Sequence, residues 1–411
     1  MKLKKYKLGD LCTFVNGRAY LQPELQNYGK YKIVRVGNLS GGNNSWYYSD
    51  MELEPTKYCA KGDLLYAWAC NFGPYIWKGD KTIYHYHIWK VINSEQIDKM
   101  YLYYLLKFMT NSFMGCVHGS TMLHITKENM ESMEVRIHAS IEEQRRIATI
   151  LNKLDCKIEL NRQINDNLEA MAKQLYDYWF VQFDFPNEEG KPYKSSGGAM
   201  VYNEKLKREI PQGWHCYELN KWLEIKSGFA FKSETYISKG KFKVVTIKNV
   251  QDHHLDTSSC DYVYEIPQGM KEWCSLSVND RLISLTGNCG RLCIVTEKDL
   301  LLNQRVGLLA CNDEYIDYAY LLLSSEEYQT LSNNLAKGAA QANLSPVDLC
   351  KNIAVLPKLD VLEKFNRQIK PIVASYIQNE IQIAELTKQR DELLPLLMNG
   401  QASVNYHLSD D

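Results

Sequence analysis

No apolar stretch in these 411 residues approaches the roughly 18 needed to cross a bilayer, so no membrane helix and no membrane partner are expected. The opening MKLKKYKLGD passes straight into a strand-like pattern with no apolar signal segment behind it, which points to a cytoplasmic protein. A zinc set is missing too. The 12 cysteines are scattered, and the nearest pair, Cys289 and Cys293, has no second pair or histidine cluster to complete it. Reduced structural thiols and no metal site are expected. Charge of one sign is also lacking: the formal net charge of −1 gives no overall field to steer a polyanion.

The motifs of several chemistries are absent. Gly190-Lys191 runs into Pro192 and Gly240-Lys241 into Phe242, so no phosphate-cradling loop forms. There is no glycine-rich nucleotide turn, no H-E-x-x-H, no nucleophile elbow and no aromatic-ended Asn/Asp-Pro-Pro. His85, His87 and His124 have no identifiable catalytic partner and read as packing or ligand-edge residues. No catalytic residue is expected, and the chain reads as a non-enzyme.

What is present is a globular composition, with 45% hydrophobic and 24% charged residues, and a chain that repeats itself. YKIVRVGNL (Tyr31 to Leu39) matches FKVVTIKNV (Phe242 to Val250), and LGDLCTFVNGRAY matches LNKWLEIKSGFAF, with Gly17 opposite Gly228. Asp63, Asn71 and Gly73 match Asp280, Asn288 and Gly290; HGSTMLHIT (from His118) faces KGAAQANLS (from Lys337). The four glycines read as tight turns. Residues 1–139 and 214–359 carry short Val, Ile, Tyr and Thr runs broken by Gly, Asn and Asp, the pattern of mostly-β units with one or two helices, such as IDYAYLLLSSEEYQTL.

Each unit leads into a long helix, at 140–185 and at 360–400. Ser140 with Glu143, and Asp360 with Glu363, read as capping boxes. Apolar positions then recur at alternating four and three residues. Ile147, Leu151, Leu154, Ile158, Asn161, Asn165, Leu168, Ala172, Leu175 and Trp179 form one seam. Phe365, Ile369, Ile372, Tyr376, Asn379, Ile383, Leu386, Arg390, Leu393 and Leu397 form the other. Closed antiparallel, the seams bring Asn165 to Asn379, and Asn161, Asn165 and Asn379 become candidates for fixing register. Pro371 should kink the second helix or delay its start. Residues 186–213, beginning PNEEGKPYKSSGG, read as a polar linker, and 401–411 as a frayed tail. The expected fold is therefore α+β: two mostly-β domains separated by two long antiparallel coiled-coil helices, with a pseudo-two-fold internal repeat.

EEQRRIATILNKLDCKIELNRQINDNLEAMAKQLYDYWFVQFDFP (Glu142 to Pro186) closely resembles the central spacer of type I restriction-modification specificity subunits. GKPYKSSGGAMVYNEKLKREIPQGWHCYEL, leading into the second unit, resembles the region that follows it. FAFKSETYISKGKFKVVTIKNV and WACNFGPYIWKGD resemble, less specifically, parts of target-recognition domains. The resemblance implies a chain that reads a bipartite, asymmetric site on double-stranded DNA, one half per domain, with helix length setting the unread gap. It implies two methyltransferase subunits, which bring S-adenosylmethionine, and two restriction/motor subunits, which use ATP and magnesium. No cofactor is then expected in this chain. A second reading is a coiled-coil adaptor or inhibitor that binds partner subunits without reading bases.

Phosphate contact needs Lys, Arg or backbone N–H groups, and base edges need donors and acceptors on reaching loops. Lys226 to Lys248 holds six lysines against one glutamate, with aromatics interleaved. Repeat-matched positions give the DNA-binding candidates. In the first domain these are Arg18, Tyr20, Arg35, Asn38, Asn71, Tyr75, Lys78, His118, Ser120 and Thr121. In the second they are Lys226, Phe231, Lys232, Lys243, Lys248, Asn288, Arg291, Arg305, Lys337 and Gln341.

Overall fold

The computed structural model describes residues 3–40, 45–69, 71–115, 126–338 and 342–403. It divides into two compact units: Met1–Ile158 with Glu385–Asp411, and Glu159–Ala384.

In the first unit two four-stranded sheets form from short β-branched and aromatic runs, which suit half-buried pleated surfaces. One sheet has the order Cys12–Asn16, Ile88–Asn93, Leu64–Ala67, Gly73–Ile76 and is antiparallel throughout. The other has the order Tyr47–Ser49, Tyr31–Val34, Thr82–Tyr84, Tyr58–Cys59, with its central pair parallel. Leu3–Lys7 pairs with Glu134–His138 to close the globule. The second unit repeats this strand for strand. Glu224–Ser227, Val306–Ala310, Arg281–Ser284 and Leu292–Ile294 make the antiparallel sheet. Asp261–Val263, Phe242–Val245, Leu300–Leu302 and Ser275–Leu276 make the mixed one, again parallel at its centre, and His215–Glu218 with Ile353–Leu356 close it. An identical strand order, including the one parallel pairing, is a duplication at the level of topology.

Two long helices, Ile141–Tyr176 and Leu359–Met398, each lend one part to each unit. In the first unit Ile147 and Leu151 of one, and Leu394 and Leu397 of the other, are buried with Leu8, Tyr101 and Leu105. Arg390, a cation on the seam, is satisfied there: its Nη1 sits 2.8 Å from Asp155 Oδ1, whose other oxygen accepts from Tyr104 (2.8 Å). In the second unit Asn379 Nδ2 donates to Asn165 Oδ1 (3.0 Å), Asn165 Nδ2 to Glu380 Oε1 (2.7 Å), and Asn161 Nδ2 to Gln382 Oε1 (3.2 Å). Within each unit the helices therefore run antiparallel. Trp179, in a π-turn at Asp177–Val181, is buried against Phe365 and Phe180.

Four local expectations change. The C-terminal helix begins at Leu359, with the Lys358 carbonyl accepting from Val361 and Leu362, so Asp360 lies in the first turn and is not its cap. It runs through Pro371 as one helix, its start undelayed. The missing N–H at that point is outweighed by the burial of Phe365, Ile369 and Tyr376 on either side. The helix expected from Ile316 is two, Ile316–Ser324 and Glu326–Leu335, because the Ser325 hydroxyl caps the second by accepting from Tyr328 N–H. Residues 186–213 are folded and not a loose linker: Asp184 accepts from Ser195, Tyr193 stacks on Phe185, and Met200–Asn203 pairs with Arg208–Pro211 as a hairpin. Polar composition concealed this, since the anchors are the aromatics at either edge of the segment.

The helix pair in the second unit carries a titratable cluster. His254 Nδ1 lies 3.1 Å from Glu380 Oε2, and Tyr376 Oη donates to the His253 carbonyl (2.7 Å). Burial, with Asp166 and Glu380 nearby, pushes Glu169 up to about 7, while hydrogen bonding to Glu380 raises His254 above its ordinary value. Both groups hold their proton more tightly when folded, so their contribution to stability is lost as pH rises: for Glu169 between 4.5 and about 7, and for His254 above 6.5. Glu380 is shifted the other way; although burial opposes it, His254 and Asn165 hold it low, so its contribution is lost only in acid. Between about pH 5 and pH 7 the unfolding free energy of the parent, measured by urea titration, should therefore fall relative to that of Glu169→Gln. A difference between the two proteins that stays constant over this range would refute this.

Candidate nucleic-acid interface

Gly17 and Gly228 set the geometry of equivalent sheet edges. A side-chain carbon on Gly17 would lie 2.4 Å from the Tyr84 and His85 carbonyl oxygens; on Gly228 it would lie 2.3 Å from that of Leu302 and 2.5 Å from that of Asn303. Neither residue has a positive φ, so the two glycines serve close backbone approach and not, as expected, a tight turn. Gly73 (φ 144°) and Gly290 (φ 84°) do take conformations that favour glycine. The approach seats one turn in each globule, His85-Tyr86-His87 and Asn303-Gln304-Arg305. Arg18 bridges in parallel to His85, as Phe229 does to Asn303.

In the first globule several candidates gather at this edge. The Arg18 guanidinium binds both oxygens of Glu24 (2.7 and 3.2 Å) and lies over Tyr20, and Tyr20 stacks on His85 (6.4 Å). Arg35 covers the Tyr47 ring and donates to the Ser45 carbonyl, as Asn38 does. Burial, reinforced by His87 and Arg35, lowers His85 to about 4, so it is neutral near pH 7. Trp68, Tyr86 and His87 form an aromatic patch, with Trp68 5.2 Å from His87 and Tyr86 3.9 Å from His87. Asn71 and Lys78 are exposed, whereas Tyr75 is half-buried. His118, Ser120 and Thr121, like Gln341 in the second globule, lie outside the described residues.

In the second globule Lys243 is engaged within the fold. Its ammonium is 2.5 Å from Glu297 and is 22% exposed, so its charge is already neutralised within the fold. Lys226 is drawn to Trp273 (5.3 Å) and Glu224 (3.7 Å), and Arg291 to Asp252 (3.2 Å) and Gln251 (3.1 Å). Lys232 approaches Glu234 only at 4.0 Å across an exposed surface. Lys248, Asn288, Arg305 and Lys337 are exposed and Phe231 is half-buried against Tyr236. Arg305 borders a hollow of about 540 Å³ lined also by Ser227, Thr286, Gln304 and Asn343. The sequence reading missed Trp68, Tyr86, Gln304, Thr286 and Asn343. Extending the helix offset of 218 residues to the turns would have paired Tyr86 with Gln304 and His87 with Arg305.

Two copies of one sheet pair, each presenting a glycine-seated turn with different side chains, define an internally duplicated recognition protein. The family model described as the type I restriction modification DNA specificity domain matches residues 2–170 and again 211–390. The chain belongs to that non-catalytic family. It is similar to the type I restriction enzyme MjaIX specificity subunit of Methanocaldococcus jannaschii, at 30% identity over 328 residues, 76% of this chain and 71% of that one. It is also similar to the MjaVIII specificity subunit of the same organism, at 26% identity over 97% of this chain and 92% of that protein. A crystal structure of the type I restriction-modification S subunit from M. genitalium shares the fold, with a TM-score of 0.57, 17% identity and 96% of each chain covered. Among the described residues no helix is long and apolar enough to cross a membrane, and no group of three or more His, Cys, Asp or Glu is placed to hold a metal.

Proposed function

We propose that each globule reads one part of a bipartite, asymmetric site on double-stranded DNA, and that the chain positions two methyltransferase and two restriction/motor subunits on it. S-adenosylmethionine, ATP and magnesium are then bound by those partners, whose chemistry is adenine methylation and DNA cleavage. The observation that carries the reading is the repeated turn. One backbone scaffold is held in two copies while the side chains at the tip of its turn change from Tyr86-His87 to Gln304-Arg305. A conserved frame with varied tips is what two different base sequences require of one fold. Arg18, Arg35, Asn71 and Lys78 in the first globule, and Lys232, Lys248, Asn288, Arg305 and Lys337 in the second, are the contact candidates best placed on exposed or half-exposed loops.

Selection of bound duplexes from a random pool, using the full chain with its methyltransferase partner, tests this. Enrichment of a defined sequence, with affinity falling steeply as salt rises, is expected. Equal retention of every duplex would refute it.

A further inference from the structure

Arg305 stands apart from the other arginines of its globule. Arg281 is buried against Asp317, and Arg291 is tied to Asp252 and Gln251, whereas the Arg305 guanidinium has no partner among the described residues and is exposed. Its backbone is held firmly. Arg305 N–H donates to Asn303 Oδ1 (3.1 Å), Gln304 N–H to the Phe229 carbonyl (2.8 Å) and Asn303 N–H to the Val245 carbonyl (3.0 Å). A rigid base under a free planar fork loses little entropy on making two parallel hydrogen bonds.

The surroundings separate a base edge from a phosphate. Among the described residues Arg305 is the one cation lining this hollow, with Ser227, Thr286, Gln304, Asn343 and Ser345 around it and no carboxylate. Thr286 Oγ1 donates to Asn343 Oδ1 (3.1 Å), which turns the Asn343 amide so that its N–H₂ is the group left to offer. Neutral donors and acceptors in a concavity suit the mixed pattern of a base-pair edge; a phosphate would be served better by clustered cations. At the matching place in the first globule stands His87, packed against Trp68 and Tyr86, with no fork to offer.

We infer that Arg305 selects a guanine in the part of the site read by the second globule, pairing with the O6 and N7 acceptors of its major-groove edge, and that the first globule lacks this contact. The inference rests on the DNA-reading function proposed above. The test is the duplex selection repeated with Arg305→Ala and Arg305→Lys in the full chain with its methyltransferase partner. Both variants should relax preference at a single G·C position by about 10-fold or more, leaving the other positions and the thermal unfolding midpoint unchanged. Lysine should fail as alanine does, because it keeps the charge without the fork. An Arg305→Lys protein that selects as the parent does, or an Arg305→Ala protein that loses affinity uniformly for every sequence, would make Arg305 a phosphate contact and overturn the inference, while leaving the function standing. A parent complex that selects no sequence would overturn the function beneath it.

Discussion

Asp317→Ala is expected to destabilise the second unit by about 3–5 kcal/mol, among the largest effects of any single substitution in the chain. Arg281 and Asp317 are 0% and 5% exposed, with Nη2 2.6 Å from Oδ1. The guanidinium also donates to the carbonyl and side chain of Asn279 and lies 5.6 Å from the Tyr320 ring centre, but its Nε has no partner. Removing the carboxylate leaves a buried cation without compensation. The pair itself is another matter: taking both ions out of water costs about as much as their attraction returns. The double variant Arg281→Met/Asp317→Leu should consequently lie far closer to the parent than Asp317→Ala does. Denaturant unfolding of the three proteins measures this; additive losses would show that packing, not charge, holds the site.

Trp179→Ala should cost a comparable ~3–5 kcal/mol, by a different route. The indole is 2% exposed, and its neighbours Phe180 and Phe365 belong to separate segments of the chain, one at the end of the central helix and one in the second turn of the C-terminal helix. Truncation removes one of the largest buried side chains of this cluster and leaves a void that the flanking rings cannot collapse to fill. Trp179→Phe should recover more than half of the loss. A cost below about 1 kcal/mol for the alanine variant would mean that the cluster is not the anchor of the helix ends.

Features that repeat along the chain were legible in the sequence, and features made by distant residues were not. The seams from Ile147 and from Phe365 show because an amphipathic helix writes its period into every turn, and the meeting of Asn165 with Asn379 follows from register alone. The duplicated sheets show because matched β-branched runs fall at a nearly constant offset. The pairing of Lys243 with Glu297, 54 residues away, was not legible, because nothing in a lysine-rich stretch marks which ammonium the fold engages. Gly17 and Gly228 were recognised as special for the wrong reason: what they meet is another strand's carbonyls, a tertiary fact. Arg305 stood among the sequence candidates, but its freedom depends on which other arginines are spoken for.

Under the proposed function two copies of one reading module, differing at their exposed turns, specify two different parts of a single DNA site. Mapping methylated adenines in DNA from cells that make this chain together with its methyltransferase partner tests it most directly. One motif made of two unlike specified segments around a fixed unspecified gap, with one adenine methylated in each segment, is expected. A single continuous motif, or two identical segments, would contradict it.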